Sequence, residues 1–317
     1  MRALAWLACM LVAALVVVAV GRTGRSTLTA AAGASPWRRS FERFAADRGA
    51  MFALFVLIVL ALLAVCAPLL TPYAPDSPLD IVRLQNLPPS LTFPFGTDYA
   101  SHDVLTRVLY GARITLAVSL LAAIVTVVVG AAWGAMAGFY GGRIDSVMMR
   151  LTDAAMSVPR ILLLIAVIAV AQSLSLPALI LLIGLTGWFG TSRLVRAQVL
   201  ALREQDFTVA ARALGARDRE ILWRHLLPNV ASTVIVAGTL ALGHVVYLEA
   251  ALSFLGIGVR PPTPSWGNII QEGSENITAF WWMSLFPGLA IVITCLAVNV
   301  FGDGLRDAFD PRRTEGR

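Results

Sequence analysis

Three ionisable side chains interrupt long apolar runs: Asp153, Arg160 and Glu249. At the centre of a membrane-crossing helix such a group costs about 2.5–3.5 kcal/mol on insertion scales, so it is kept where it faces a bundle interior, a cavity or a partner. Asp153 lies near one interface, where Arg150 or Arg143 could pair with it. Arg160 follows Pro159 about ten residues into its run, a depth that calls for snorkelling or a water-filled cavity. Glu249 sits beside the small Ala250 and Ala251 and is expected to face the bundle interior. Arg160 and Glu249 are thus candidates for lining or gating a translocation path, and a structural pair buried between helices fits them equally well.

Other chemistries find no support. A P-loop needs a lysine to reach the β- and γ-phosphates of ATP, yet all 25 basic residues are arginines. Any Walker-type ATPase must therefore sit on another chain. Cys9, Cys66 and Cys295 lie in apolar runs without metal-like spacing and read as packing residues. His102, His225 and His244 are scattered, and no Ser–His or Cys–His pairing stands out. The chain is expected to be no enzyme and to hold no metal or cofactor of its own. A net charge of +6 could suggest nucleic acid, but the placement of the arginines explains it better as topology.

The most informative polar segment is 203–228, between two apolar runs. A short helix is expected at Phe207–Leu214, ended by Gly215. A second, Asp218–Leu226, begins with an acidic residue suited to a helix N-terminus and should stop at Pro228. Ile221, Leu222 and Leu226, with Trp223, alternate with Arg219, Glu220 and Arg224. The result is a helical hairpin with one apolar and one charged face, suited to docking another protein.

The elements that carry these residues follow from composition. Of the chain's residues 58% are hydrophobic and 14% charged, with a mean hydropathy of +0.76. Apolar spans read at about 51–70, 113–138, 151–171, 177–197, 229–256 and 284–302. Their length suits helices crossing a hydrocarbon core of about 30 Å. The fold class is all-α: a polytopic membrane bundle with six core transmembrane helices and a possible extra N-terminal one. Nineteen arginines fall on one side of the six spans and only Arg83, Arg107 and Arg260 on the other, which makes the core termini cytoplasmic. The run 4–20 is either a seventh span with its N-terminus outside or an extension from an upstream start. Cleavage as a signal peptide would export Arg38, Arg39, Arg43 and Arg48 against the charge rule. Residues 1–36 thus form an apolar run and linker, 37–50 a basic amphipathic lead-in, 51–311 the membrane domain and 312–317 a tail. Gly130, Gly134 and Gly138 repeat every fourth residue and should let a neighbouring helix approach closely.

The hairpin resembles the EAA loop of binding-protein-dependent ABC importer permeases, E-A-A-x3-G-x9-I-x-L-P. This chain reads Val209-Ala210-Ala211, Gly215, His225, Leu227 and Pro228 at the same spacing. Val209 replaces the usual Glu and His225 the usual Ile. Phe95–Asp98, Asp103–Arg113, Leu248–Gly258, Pro261–Gly267 and Gly302–Asp307 also resemble the dipeptide/oligopeptide/nickel permease subfamily, C-type, over residues 37–311. Ser101-His102 departs from the Gly-Arg often found there.

The resemblance implies an inner-membrane permease subunit of a bacterial peptide importer, with nickel as the other cargo of the subfamily. It implies a second homologous permease, two ATPase subunits that hold ATP and magnesium, and an extracytoplasmic binding protein. It also makes Ala210, Ala211, Gly215, Arg219, Ile221, Leu222, His225, Leu227 and Pro228 the ATPase-coupling interface. The rival from another class is an ion-driven secondary transporter using Glu249 and Asp153 as coupling carboxylates.

Overall fold

The structure, a computed structural model, describes residues 2–25 and 36–309. Of the linker expected at 21–36, residues 21–25 instead continue the first helix, whereas 26–35, like the tail at 312–317, lie outside the described residues. In chain order the helices are α1 (Arg2–Arg25), α2 (Pro36–Ala46), α3 (Arg48–Val65), α4 (Ala67–Leu70), α5 (Val104–Tyr140), α6 (Gly142–Met156) and α7 (Arg160–Ala171). There follow α8 (Leu176–Leu185), α9 (Phe189–Arg203), α10 (Asp206–Ala213), α11 (Asp218–Glu220), a π turn (Ile221–Leu226), α12 (Leu227–Phe254), α13 (Trp266–Ser274) and α14 (Trp281–Phe309). Among the described residues the sole strand-like feature is an isolated bridge between Thr97 and Asp103. Four helices are long and apolar enough to cross a membrane, and six spans result if the bent pairs α6–α7 and α8–α9 each count as one.

The chain divides into two compact units, residues 1–119 with 243–317 and residues 120–242. In the first, α2 turns Phe44 and Ala45 inward and leaves Arg38 and Arg39 exposed. Asp47 then caps α3, its carboxylate accepting the N–H groups of Gly49 at 2.8 Å and Ala50 at 3.2 Å. Phe44, Ala50, Met51 and Ala308 form one core cluster, against which Val17 and Val20 of α1 pack. Trp6, at the other end of α1, packs against Ala67, Leu70 and Leu109 beyond the end of α3. The helix α1 therefore runs antiparallel to α3 along its length. Its 24 residues extend about 36 Å at ~1.5 Å each.

The second apolar span starts earlier than hydropathy implies, at Val104 instead of residue 113. Polar contacts hold its first turns. The Asp103 carboxylate accepts the Thr106 N–H at 3.0 Å and hydroxyl at 2.6 Å, and the Trp266 indole N–H donates to the Val108 carbonyl at 3.0 Å. Trp266 joins Val104, Val108, Ala112, Ile269 and Trp282 in one core cluster of this unit.

In the second unit the glycine ladder does what its spacing promised. A Cβ on Gly130 would come within 2.8 Å of the Trp188 carbonyl oxygen, and one on Gly138 within 2.9 Å of that of Arg196. A Cβ on Gly134 would overlap the Ser192 carbonyl. Backbone therefore meets backbone between α5 and α9, as small residues at every fourth position allow. The third span bends by 76° at Ser157–Pro159, where a proline cannot continue the helix, and the fourth by 46° at Thr186–Trp188.

Candidate functional site

The hairpin is built by local rules. Residue Gly215 adopts φ +85°, and the N–H groups of Gly215 and Ala216 bond the carbonyls of Arg212 and Ala211 at 3.0 and 3.1 Å. This 5→2 and 6→1 pair is a Schellman ending, which needs a left-handed residue that glycine adopts without strain. The Thr208 hydroxyl, fully buried, donates to the Leu202 carbonyl at 2.9 Å and ties α10 to the end of α9.

The second arm does not stop at Pro228. It runs from Asp218 to Phe254 as one continuous helix. Proline lacks an N–H and crowds the carbonyl four residues back. Here the preceding π turn widens the helix, and the Leu227 N–H bonds Leu222 instead of residue 223. The second arm of the hairpin is thus continuous with the fifth span.

Burial separates the expected interface residues into two sets. Ile221 is fully buried with Leu226, Val195, Val199, Ala135 and Phe139, and Ala211, Leu222 and Leu227 pack against that cluster half-buried. The apolar stripe read from the sequence therefore glues the hairpin to α5 and α9. Ala210, Gly215, Arg219 and Pro228 are exposed and His225 is half-buried, its carbonyl accepting from the Asn229 amide at 2.6 Å. The outward surface adds residues outside the expected interface set: Phe207, Val209, Leu214 at 89% exposure and Trp223 at 62%. Arg217, Arg219, Glu220, Trp223 and Arg224 line a hollow of about 330 Å³. For Trp223 the signal was its place two positions from Ile221, about 200° around the helix and so on the opposite face.

Arginines anchor the base of this unit. Arg196 makes a two-pronged pair with Asp145, Nε to Oδ1 at 2.5 Å and Nη2 to Oδ2 at 2.6 Å. Asp153 pairs with Arg193 at 2.5 Å, not with Arg150 or Arg143. Arg203 reaches the end of α5, donating to the Phe139 carbonyl at 3.1 Å.

Arg160 and Glu249 each have local partners. The Arg160 guanidinium donates to the Ile183 carbonyl at 2.6 Å and approaches the Thr186 hydroxyl at 3.4 Å, so it caps the carbonyl end of α8. Glu249 has no exposed surface. The Ser253 hydroxyl donates to its Oε1 at 2.8 Å and accepts the Val259 N–H at 3.0 Å. Thr115 and Ser265 lie beside the same carboxylate, whose Oε2 has no partner among the described residues.

A third cluster was not singled out from the sequence. Asp98 is buried and accepts the N–H groups of Ala100 and His102, both at 2.8 Å, the His102 imidazole at 2.8 Å and Arg107 at 2.5 Å. Arg107 also forks onto Glu272 of α13. Burial alone would raise the Asp98 carboxyl, but the His102 hydrogen bond and the Arg107 guanidinium outweigh it and hold it below the usual range. Ser101 takes φ +62°, a left-handed turn of the kind glycine favours, and its neighbour His102 supplies the side-chain bond to Asp98.

Residues 130–315 match the family model described as binding-protein-dependent transport system inner membrane component. Residues 35–89 match the N-terminal TM domain of oligopeptide transport permease C. The chain is similar to the oligopeptide transport system permease protein OppC of Bacillus subtilis (strain 168), 36% identical over 278 residues, which cover 88% of this chain and 90% of the relative. It is 41% identical over 241 residues to the dipeptide transport system permease protein DppC of the same organism, across 74% of this chain and 75% of the relative. A putative peptide transport system permease protein of Brucella abortus biovar 1 (strain 9-941) is 45% identical over 233 residues, across 73% of this chain and 77% of its own length.

Proposed function

The chain belongs to the family of binding-protein-dependent transport system inner membrane components, and on that premise we propose that it forms half of the translocation pathway of an ATP-driven peptide importer. The observation that carries the reading is the hairpin at 206–226, which presents Val209, Leu214, Trp223 and a set of arginines outward while joining the fifth span without a break. A push on that surface by a partner reaches the membrane through one rigid helix. Separate ATPase subunits would hold ATP and magnesium, a second homologous permease would complete the pathway, and an extracytoplasmic binding protein would deliver cargo. Peptide is favoured over nickel by the relatives named for oligopeptide and dipeptide transport.

The arginine asymmetry supports a cytoplasmic hairpin and cytoplasmic core ends. Because α1 runs antiparallel to α3, its N-terminus then lies outside and α1 serves as a seventh span. Arg160 and Glu249 act by fixing helix ends around the pathway. Purifying the tagged chain from its native membrane in mild detergent tests the proposal. Co-purification of a second permease and P-loop ATPases is expected; a homo-oligomer without any ATPase would overturn it.

A further inference from the structure

A cavity of about 490 Å³ lies at the start of the second span, within the first compact unit. Its size falls in the range of small-molecule sites, about 300–1,000 Å³. Asp76, Tyr110, Arg113, Ile114, Pro262 and Pro264 are among its walls. The Arg113 guanidinium carbon stands 5.6 Å from the Tyr110 ring centroid, a cation–π contact that fixes the head group. Among the described residues, neither Arg113 nor Asp76 has an ion-pair or side-chain hydrogen-bond partner, although Arg107, Arg193 and Arg196 all do. Two opposite charges thus share one cavity without neutralising each other. The remaining walls are Pro75, Pro262 and Pro264, whose rings carry no N–H, with Tyr110, Ile114 and Ala117, and Thr263 as the one further polar side chain besides the Tyr110 hydroxyl.

We propose that this cavity is an acceptor subsite for the charged ends of a short peptide, an inference that rests on the importer reading. The planar fork of Arg113 matches a terminal carboxylate, and the Asp76 carboxylate accepts a terminal ammonium. The apolar middle offers little that could discriminate between side chains. The subsite therefore selects for free termini and tolerates sequence. This is the logic an importer of varied peptides needs once cargo has left its binding protein.

The test uses the complete importer in proteoliposomes, with binding protein saturated by tri-alanine, by its C-terminal amide or by its N-acetyl form. Arg113→Gln is expected to lower tri-alanine uptake about tenfold while the amide keeps within twofold of its wild-type rate. Asp76→Asn should show the same contrast between tri-alanine and the N-acetyl peptide, and Arg113→Lys should restore at least a third of the loss. Equal loss on the free and blocked peptides in both variants would mark a structural role and overturn the subsite, as would no loss at all. Unchanged basal ATP hydrolysis in each variant checks assembly. Wild-type vesicles that import none of the three peptides would defeat the importer reading itself, and the subsite with it.

Discussion

At the scale of single residues, the buried Asp98–Arg107–Glu272 cluster is where charge does the most structural work. Removing one partner of a buried pair leaves an uncompensated charge, at a cost of about 3–5 kcal/mol, so Arg107→Gln should lower the melting temperature of the purified assembly markedly. The pH dependence has a definite sign. The folded-state pKa of Asp98 lies below the ordinary aspartate value of about 3.9. Its contribution is therefore present above that value and lost as pH falls through the lower, folded one. The melting gap between wild type and Asp98→Asn should stay constant from pH 7 to about pH 4 and close below it; a gap that closes between pH 7 and 5 would contradict this assignment. None of these residues lies in an apolar run, so a search for costly intramembrane charges passed over them. That search did find Arg160 and Glu249, but not their partners. A carbonyl 23 residues away, at Ile183, leaves no trace in side-chain spacing.

At the scale of elements, the hairpin and the glycine ladder make opposite demands on substitution. Ile221 is fully buried and Trp223 is 62% exposed, two positions apart on one helix. Ile221→Ala should cost about 2–5 kcal/mol of stability, seen as a lower melting temperature and poorer yield. Trp223→Ala should leave melting within about 0.5 kcal/mol and instead reduce the recovery of ATPase subunits on the tagged chain. Were the two variants to fail alike, the division between glue and docking surface would be wrong. Gly134→Ala places a Cβ onto the Ser192 carbonyl. Overpacking of this kind costs about 1–3 kcal/mol or more, so thermal stability should fall although alanine is the better helix former. The Gly130–Gly138 contact was legible because a four-residue repeat maps onto one helix face. The continuity of the hairpin with the fifth span was not, because Pro228 reads as a stop unless a π turn precedes it.

At the scale of the whole molecule, hydropathy located all six core spans, and the structure moved their ends. Polar contacts extend the second span back to Val104, and breaks at Ser157–Pro159 and Thr186–Trp188 divide the third and fourth. The N-terminal run could not be resolved from composition alone, because a lone apolar stretch does not say what it packs against. Its antiparallel seating on α3 supports the proposal of a seventh span with its N-terminus outside. A cysteine at Arg2, just ahead of the apolar run and in a background lacking the native cysteines, should therefore react with a membrane-impermeant maleimide in intact cells, whereas one at Arg39 should not. The reverse pattern would invert the topology. The central claim, that ATP on partner subunits drives peptide import through this chain, is tested most directly by transport in proteoliposomes holding the purified assembly. Tri-alanine delivered by its binding protein should accumulate only when ATP is present on the hairpin side, and should do so unchanged after ionophores collapse every ion gradient. Accumulation that needs no ATP and vanishes with the ionophores would contradict it.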